Sequence, residues 1–179
     1  NDPVGTALEL APGRVVWTWN PDATNESSTN SVNKDGIIDH NDDVYYLPKN
    51  NDEKVIKDMM AFSVQKLTSS QSNEESWDLI FRNHNKKKWS EDIGYQSDET
   101  VYIKTNNQGI GLSHTFTSDL RQEDKTVWGS FPPHMTATSP YSILAVIDQL
   151  VNVAGVPEDM IYVGDPHNNF NSIYFEIID

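Results

Sequence analysis

The chain contains no cysteine in 179 residues. That removes disulfides, thiolate metal sites, iron–sulfur ligation and cysteine nucleophiles, and it leaves the redox compartment open. Basic residues are scarce. Lys and Arg number 13 against 27 Asp and Glu, a formal charge of −14, which disfavours nucleic acid and anionic membrane as partners. A divalent cation or a cationic partner suits such a surface better. No apolar run approaches the roughly 20 residues of a membrane-spanning helix. The glycine fingerprints of dinucleotide and P-loop sites are missing, since Gly109-Ile110-Gly111 lacks the third glycine. No Gly-x-Ser-x-Gly elbow presents a serine nucleophile.

The length suits one domain over 1–179. The first residue is Asn1 rather than Met, so the expectation is a processed or trimmed start without its targeting signal, and a soluble chain in the periplasm or outside the cell. The glycosylation-type triplet Asn25-Glu26-Ser27 reads as a chance match.

Residues 1–12 show little periodicity and read as a leader arm. Arg14 to Trp19 mixes β-branched and aromatic residues between Pro12-Gly13 and Asn20-Pro21-Asp22, which predicts a strand. From Asp22 to Asn51 the composition turns to Asn, Asp, Ser and Thr. The stretch is too polar to add much core and too long for an ordinary connection, so it reads as a long polar loop or insertion.

Within it, Ser31 to Asp42 resembles the calcium loop of EF-hand and dockerin proteins. Oxygen donors alternate, Gly36 stands at the sharp turn, Ile38 is apolar and Asp42 closes the loop. Ser31 replaces the usual Asp, and Asp42 replaces the bidentate Glu of EF-hands, although dockerin-type loops do end in Asp. Calcium is thus the candidate cofactor, with Asn33, Asp35, Asp39 and Asp42 as ligands, against the plain alternative of a solvated Asn/Asp-rich turn.

Helical spacing follows over Asp52 to Leu67, where Val55, Ile56, Met59, Met60, Ser63 and Leu67 share a face. The pattern Ser72-Asn73-Glu74-Glu75 opens a second helix, with Trp77, Ile80, Phe81 and His84 facing inward and Lys86-Lys87-Lys88 near its carboxyl end. Thr100 to Asn106 is strand-like. A long loop then runs to Ser139 and holds His114, Trp128 and His134. Thr138-Ser139-Pro140 starts a third helix with the stripe Ile143, Leu144, Ile147, Leu150, Val151 and Ala154, ending at Gly155. Met160 to Val163 reads as a buried strand running into Gly164-Asp165-Pro166-His167, and residues 170–179 as a further helix or strand.

This succession resembles the family called domain of unknown function 362, in its branch with a long amino-terminal extension. The matching runs are Pro12 to Trp17 with Asn20 to Thr24, Met59, Trp77 to Phe81 with Asn85, Val101 to Asn106, Ser139-Pro140, Gln149 to Val151, Ala154 to Val156 and Val163 to Pro166. The resemblance implies an α/β fold of Rossmann-like three-layer αβα type with a mainly parallel sheet, and frequent export. Some members carry ferredoxin-type clusters, which this chain has no cysteine to hold. Members also continue past the second strand, so the chain looks like the amino-terminal part of a longer protein. The family supplies no settled activity.

Strand, helix, strand is a βαβ unit, whose parallel strands gather ligands at their carboxyl ends. Lys104, Asn106, Asp165 and His167 fall at those ends, and the helix start at Ser139 opens on the same edge. Lys104, Asn106 and Ser139 are therefore candidates for binding a small anionic molecule. Asp165, His167 and His134 are candidates for acid–base or metal work. The plain alternatives are a Lys104–Asp165 surface pair and an ordinary Gly-Asp-Pro turn. A competing reading is a non-catalytic exported module that binds calcium, with Trp17, Trp19 and Trp128 forming a carbohydrate- or protein-binding surface.

Overall fold

The computed structural model describes residues 10–31, 41–107, 137–166 and 177–178. Three helices form where the capping signals stand. α1 spans Glu53–Thr68 and is capped by Asp52, whose carboxylate accepts from the Val55 N–H at 3.0 Å. α2 spans Asn73–Trp89, with the Ser72 hydroxyl accepting from the Glu75 N–H at 3.2 Å. The Glu75 carboxylate reaches back one residue further than a standard capping box and accepts from the Gln71 N–H at 2.9 Å. Both helices stop on a serine in the left-handed region, Ser69 at φ 62 and Ser90 at φ 63.

α3 spans Pro140–Asn152. Beyond it, Gly155 at φ +73 turns the chain so that the Val156 N–H reaches the Leu150 carbonyl at 2.9 Å. α1 packs against both α2 and α3. Lys57 of α1 bridges Glu53 at 2.8 Å and Asp148 of α3 at 3.1 Å, while the Trp77 indole N–H of α2 meets the Gln149 side-chain oxygen of α3 at 3.3 Å.

The strands β1, Val101–Lys104, and β2, Ile161–Gly164, pair in parallel, with Val101 opposite Ile161 and Lys104 opposite Gly164. α3 lies between them in sequence, so the expected βαβ unit is present. The described residues thus form a mixed α/β fold with three helices and a two-stranded parallel sheet. Val163 faces the core, whereas Tyr102 and Tyr162 leave the opposite sheet face exposed. No helix among the described residues is long and apolar enough to cross a membrane.

The core corrects the reading of the Asn/Asp-rich stretch. Val44, Tyr46 and Leu47, inside the segment expected to be too polar for core, join Ile143 of α3 in the buried cluster, flanked by Tyr45, Ala137, Ile147, Val163, Ile177 and Ile178. Polar side chains here replace a sheet ladder. Buried Asn50 donates to the Val44 carbonyl at 2.8 Å, the Asp43 carboxylate at 3.0 Å and the Ser28 hydroxyl at 3.2 Å, and accepts from Asn25 at 2.9 Å. Asn51 donates to the Tyr45 and Leu47 carbonyls. Asp43 accepts from the Thr29 N–H at 2.7 Å, and that bond, with those from Asn50, Thr29 and Ser28, draws its pKa down to about 2. Backbone groups that would otherwise be buried unpaired are satisfied without regular structure.

Three further expectations change. Arg14 to Trp19 forms no strand and pairs with none among the described residues, because β-favouring residue types do not by themselves supply a neighbouring strand. His84 is exposed, because the inward face of α2 runs through Trp77, Ile80, Phe81 and buried Asn85. On α1 it is Val64 that is buried, while Leu67 in the last turn lies in the exposed class.

Candidate functional site at the carboxyl edge

The parallel pair continues past its last residues, with the Thr105 N–H donating to the Gly164 carbonyl at 2.9 Å. Next, Asn106 and Thr138 clasp each other. The Thr138 N–H donates to the Asn106 carbonyl at 2.9 Å, and the Asn106 N–H donates to the Thr138 hydroxyl at 2.9 Å. One residue on, the Asn107 N–H donates to the Asp165 carboxylate at 2.7 Å. The exits of β1 and β2 and the entry to α3 are thereby tied into one edge that holds Asn106, Asn107, Thr138, Ser139 and Asp165.

The candidates differ in what they offer there. Lys104 is exposed and forms no ion pair among the described residues; the surface pair with Asp165 is not formed. Asp165 instead serves as the acceptor that holds the β1 exit. Ser139 is the N-cap residue, but its hydroxyl makes no capping bond. Its carbonyl takes the N–H groups of both Ser142 and Ile143. With Pro140 lacking an N–H, the Tyr141 N–H is the one in the first turn with no partner among the described residues, so the helix end is a weaker anion cradle than three free donors would make.

The residue missed in the sequence is Asn107. It is 0% exposed, yet neither its amide nitrogen nor its side-chain oxygen has a hydrogen-bond partner among the described residues, and the hydroxyl of buried Thr105 has none either. Buried polar groups are nearly always paired, and an unpaired one costs about 1–3 kcal/mol. The only signal in the sequence was three polar residues, Thr105-Asn106-Asn107, following a buried strand directly.

No family model, curated protein or solved structure matches the chain.

His134 and His167 lie outside the described residues, as do Asn33, Asp35 and Asp39 of the calcium-type loop, together with His114, Trp128 and most of 170–179. Asp42, the loop's last candidate ligand, is described and buried. The two ends of that loop are drawn together, with the Asp43 N–H donating to the Ser31 carbonyl at 3.0 Å in an isolated antiparallel bridge. The described residues on either side of it form no α-helix of the kind that flanks an EF-hand loop. Among the described residues no three His, Asp or Glu side chains gather as a metal would need. Trp17 and Trp19 are exposed on a different surface, beside α1.

Proposed function

We propose that the carboxyl edge of the β1–β2 pair binds a small anionic molecule, and that Asn107 is its polar anchor. The observation that supports this is the fully buried Asn107 carboxamide, whose donor and acceptor both lack a partner among the described residues, at the edge where parallel α/β sheets hold ligands. A carboxamide of this kind suits a ligand with an acidic oxygen to accept from the amide nitrogen and a hydroxyl or similar donor to meet its oxygen. Lys104 supplies compensating charge from the rim, and the Ser139 hydroxyl and Tyr141 N–H offer further donors. In a chain of charge −14, such local donors are what would let an anion approach at all.

This reading belongs with a wider one: a Rossmann-like three-layer domain of the kind found in domain of unknown function 362, placed outside the cytoplasm. The βαβ unit supports the layering, the sequence runs around Val101 to Asn106 and Val163 to Pro166 support the resemblance to that family, and the location follows only from the frequent export of its members.

The test is thermal unfolding with millimolar inorganic phosphate and, separately, a short hydroxycarboxylate. Wild type should rise in midpoint with at least one of them. Lys104→Ala should reduce the rise and Asn107→Leu should abolish it. An equal rise in Asn107→Leu removes the edge as the site.

A further inference from the structure

Three buried side-chain atoms at the carboxyl edge have no hydrogen-bond partner among the described residues: the amide nitrogen and oxygen of Asn107 and the hydroxyl of Thr105. They lie on one side of the chain. Along Val101 to Asn107 alternate residues are withdrawn from solvent, from half-buried Val101 and Ile103 to buried Thr105 and Asn107, while Tyr102, Lys104 and Asn106 are exposed. The Asp165 carboxylate is tied to the same place, since it accepts from the Asn107 N–H at 2.7 Å.

An anion by itself does not meet all three atoms. Phosphate or a carboxylate offers oxygens that accept, so it can take the Asn107 amide nitrogen and the Thr105 O–H, and it leaves the Asn107 side-chain oxygen unmet. A buried acceptor left in that state carries the full desolvation cost of the group. The anion would also approach the Asp165 carboxylate, in a chain of formal charge −14. Both difficulties call for a positive charge that takes oxygen ligands.

A hard divalent cation answers both. Magnesium is held in proteins through one or two carboxylates together with the oxygens of the bound molecule and water, rather than by a full cage of protein groups. Asp165 supplies one carboxylate, and Asn107 Oδ1 and Thr105 Oγ1 supply two neutral oxygens. Three acidic or histidine side chains do not gather among the described residues, and a cation shared with its ligand does not need them. The Asn107 amide nitrogen then donates to the anion while its oxygen meets the metal, so both halves of the carboxamide are used. Building on the anion-site reading above, we propose that this edge takes its small anion together with a divalent cation of the magnesium type, held by Asp165, Asn107 and Thr105.

Isothermal titration calorimetry on the whole chain tests the pairing, with inorganic phosphate and, separately, lactate, each in millimolar magnesium or in EDTA. Magnesium should tighten the anion about tenfold, and the anion should tighten magnesium by the same factor, because such coupling is reciprocal. Asp165→Asn keeps an oxygen to accept the Asn107 N–H, so its circular dichroism should match the wild type, and it should bind the anion equally with and without magnesium. Thr105→Val should lower the coupling by less. Equal binding by the wild type in magnesium and in EDTA overturns the inference and leaves the anion site standing; for lactate it would mean that the ligand's own hydroxyl meets the Asn107 oxygen. A coupling undiminished in both variants also overturns it, since the metal then acts from elsewhere on the acidic surface. If neither anion binds in either condition, the anion site itself falls and the inference falls with it.

Discussion

Replacing Asn107 with leucine should stabilise the unliganded protein. The side chain is wholly buried, and its amide nitrogen and oxygen have no partner among the described residues, so folding removes both from water without return. Leucine has nearly the same shape and no polar atoms, which removes a penalty of about 1–3 kcal/mol. The Asn107 N–H bond to Asp165 involves the main chain and survives the change. For a chain of this size each kcal/mol moves the midpoint by about 2–4 °C, so the gain should be roughly 2–12 °C. Urea unfolding should show a higher midpoint concentration with the slope unchanged. Thr105→Val, which removes the other idle polar atom at this edge, should shift in the same direction by a smaller amount. In the presence of an anion that raises the wild type, the order should invert, since only the wild type binds it. A destabilisation of more than about 1 kcal/mol in unliganded Asn107→Leu would show that the amide is already paired, and the reason for placing a ligand there would be gone.

Asn50→Ala should cost about 2–3 kcal/mol in urea unfolding, because it strips the donors that hold Val44, Asp43 and Ser28 and leaves buried acceptors unmet; a loss under about 0.5 kcal/mol would make that network incidental. Leu47→Ala should cost about 2–5 kcal/mol as a core cavity, a value no surface-loop residue would show. Asp43 has a folded pKa of about 2, below the ordinary 3.8, so its stabilising contribution is complete above about pH 4 and is lost as pH falls through 2. Asp43→Asn should flatten that part of an acid-unfolding curve followed by circular dichroism, and an unchanged curve would assign the acid sensitivity elsewhere.

The helices and the strand pair were legible because their signals are local. Ser72 caps the helix it was expected to cap, Asp52, read as the first residue of its helix, stands one place earlier as the cap, and the apolar stripe of α3 surrounds the buried Ile143 and Leu150. Val44 to Leu47 was hidden for the opposite reason. Four apolar residues in an Asn/Asp/Ser context look like an island in a loop, and what makes them core is a set of side-chain bonds from Asn50 and Asn51. Composition reports polarity but not where the polar groups are satisfied. His84 shows the limit of periodicity, since its spacing matches the inward face while the face itself turns away within the last turns of α2.

For the site, the same division separates position from chemistry. The βαβ order was enough to bring Asn106, Ser139 and Asp165 to one edge, because strand direction follows from the connection. The chemistry expected of each residue depended on its partners. Asp165 was a candidate base on type alone, yet its carboxylate holds the Asn107 N–H. Ser139 promised a hydroxyl cap and supplies a carbonyl that takes two N–H groups instead. Asn107 had no distinguishing motif, and what marks it is a buried side chain with no hydrogen bond among the described residues, which only the assembled fold can display. A ligand site of this kind is defined by what the protein leaves unpaired, and a linear pattern of residue types contains no record of pairing.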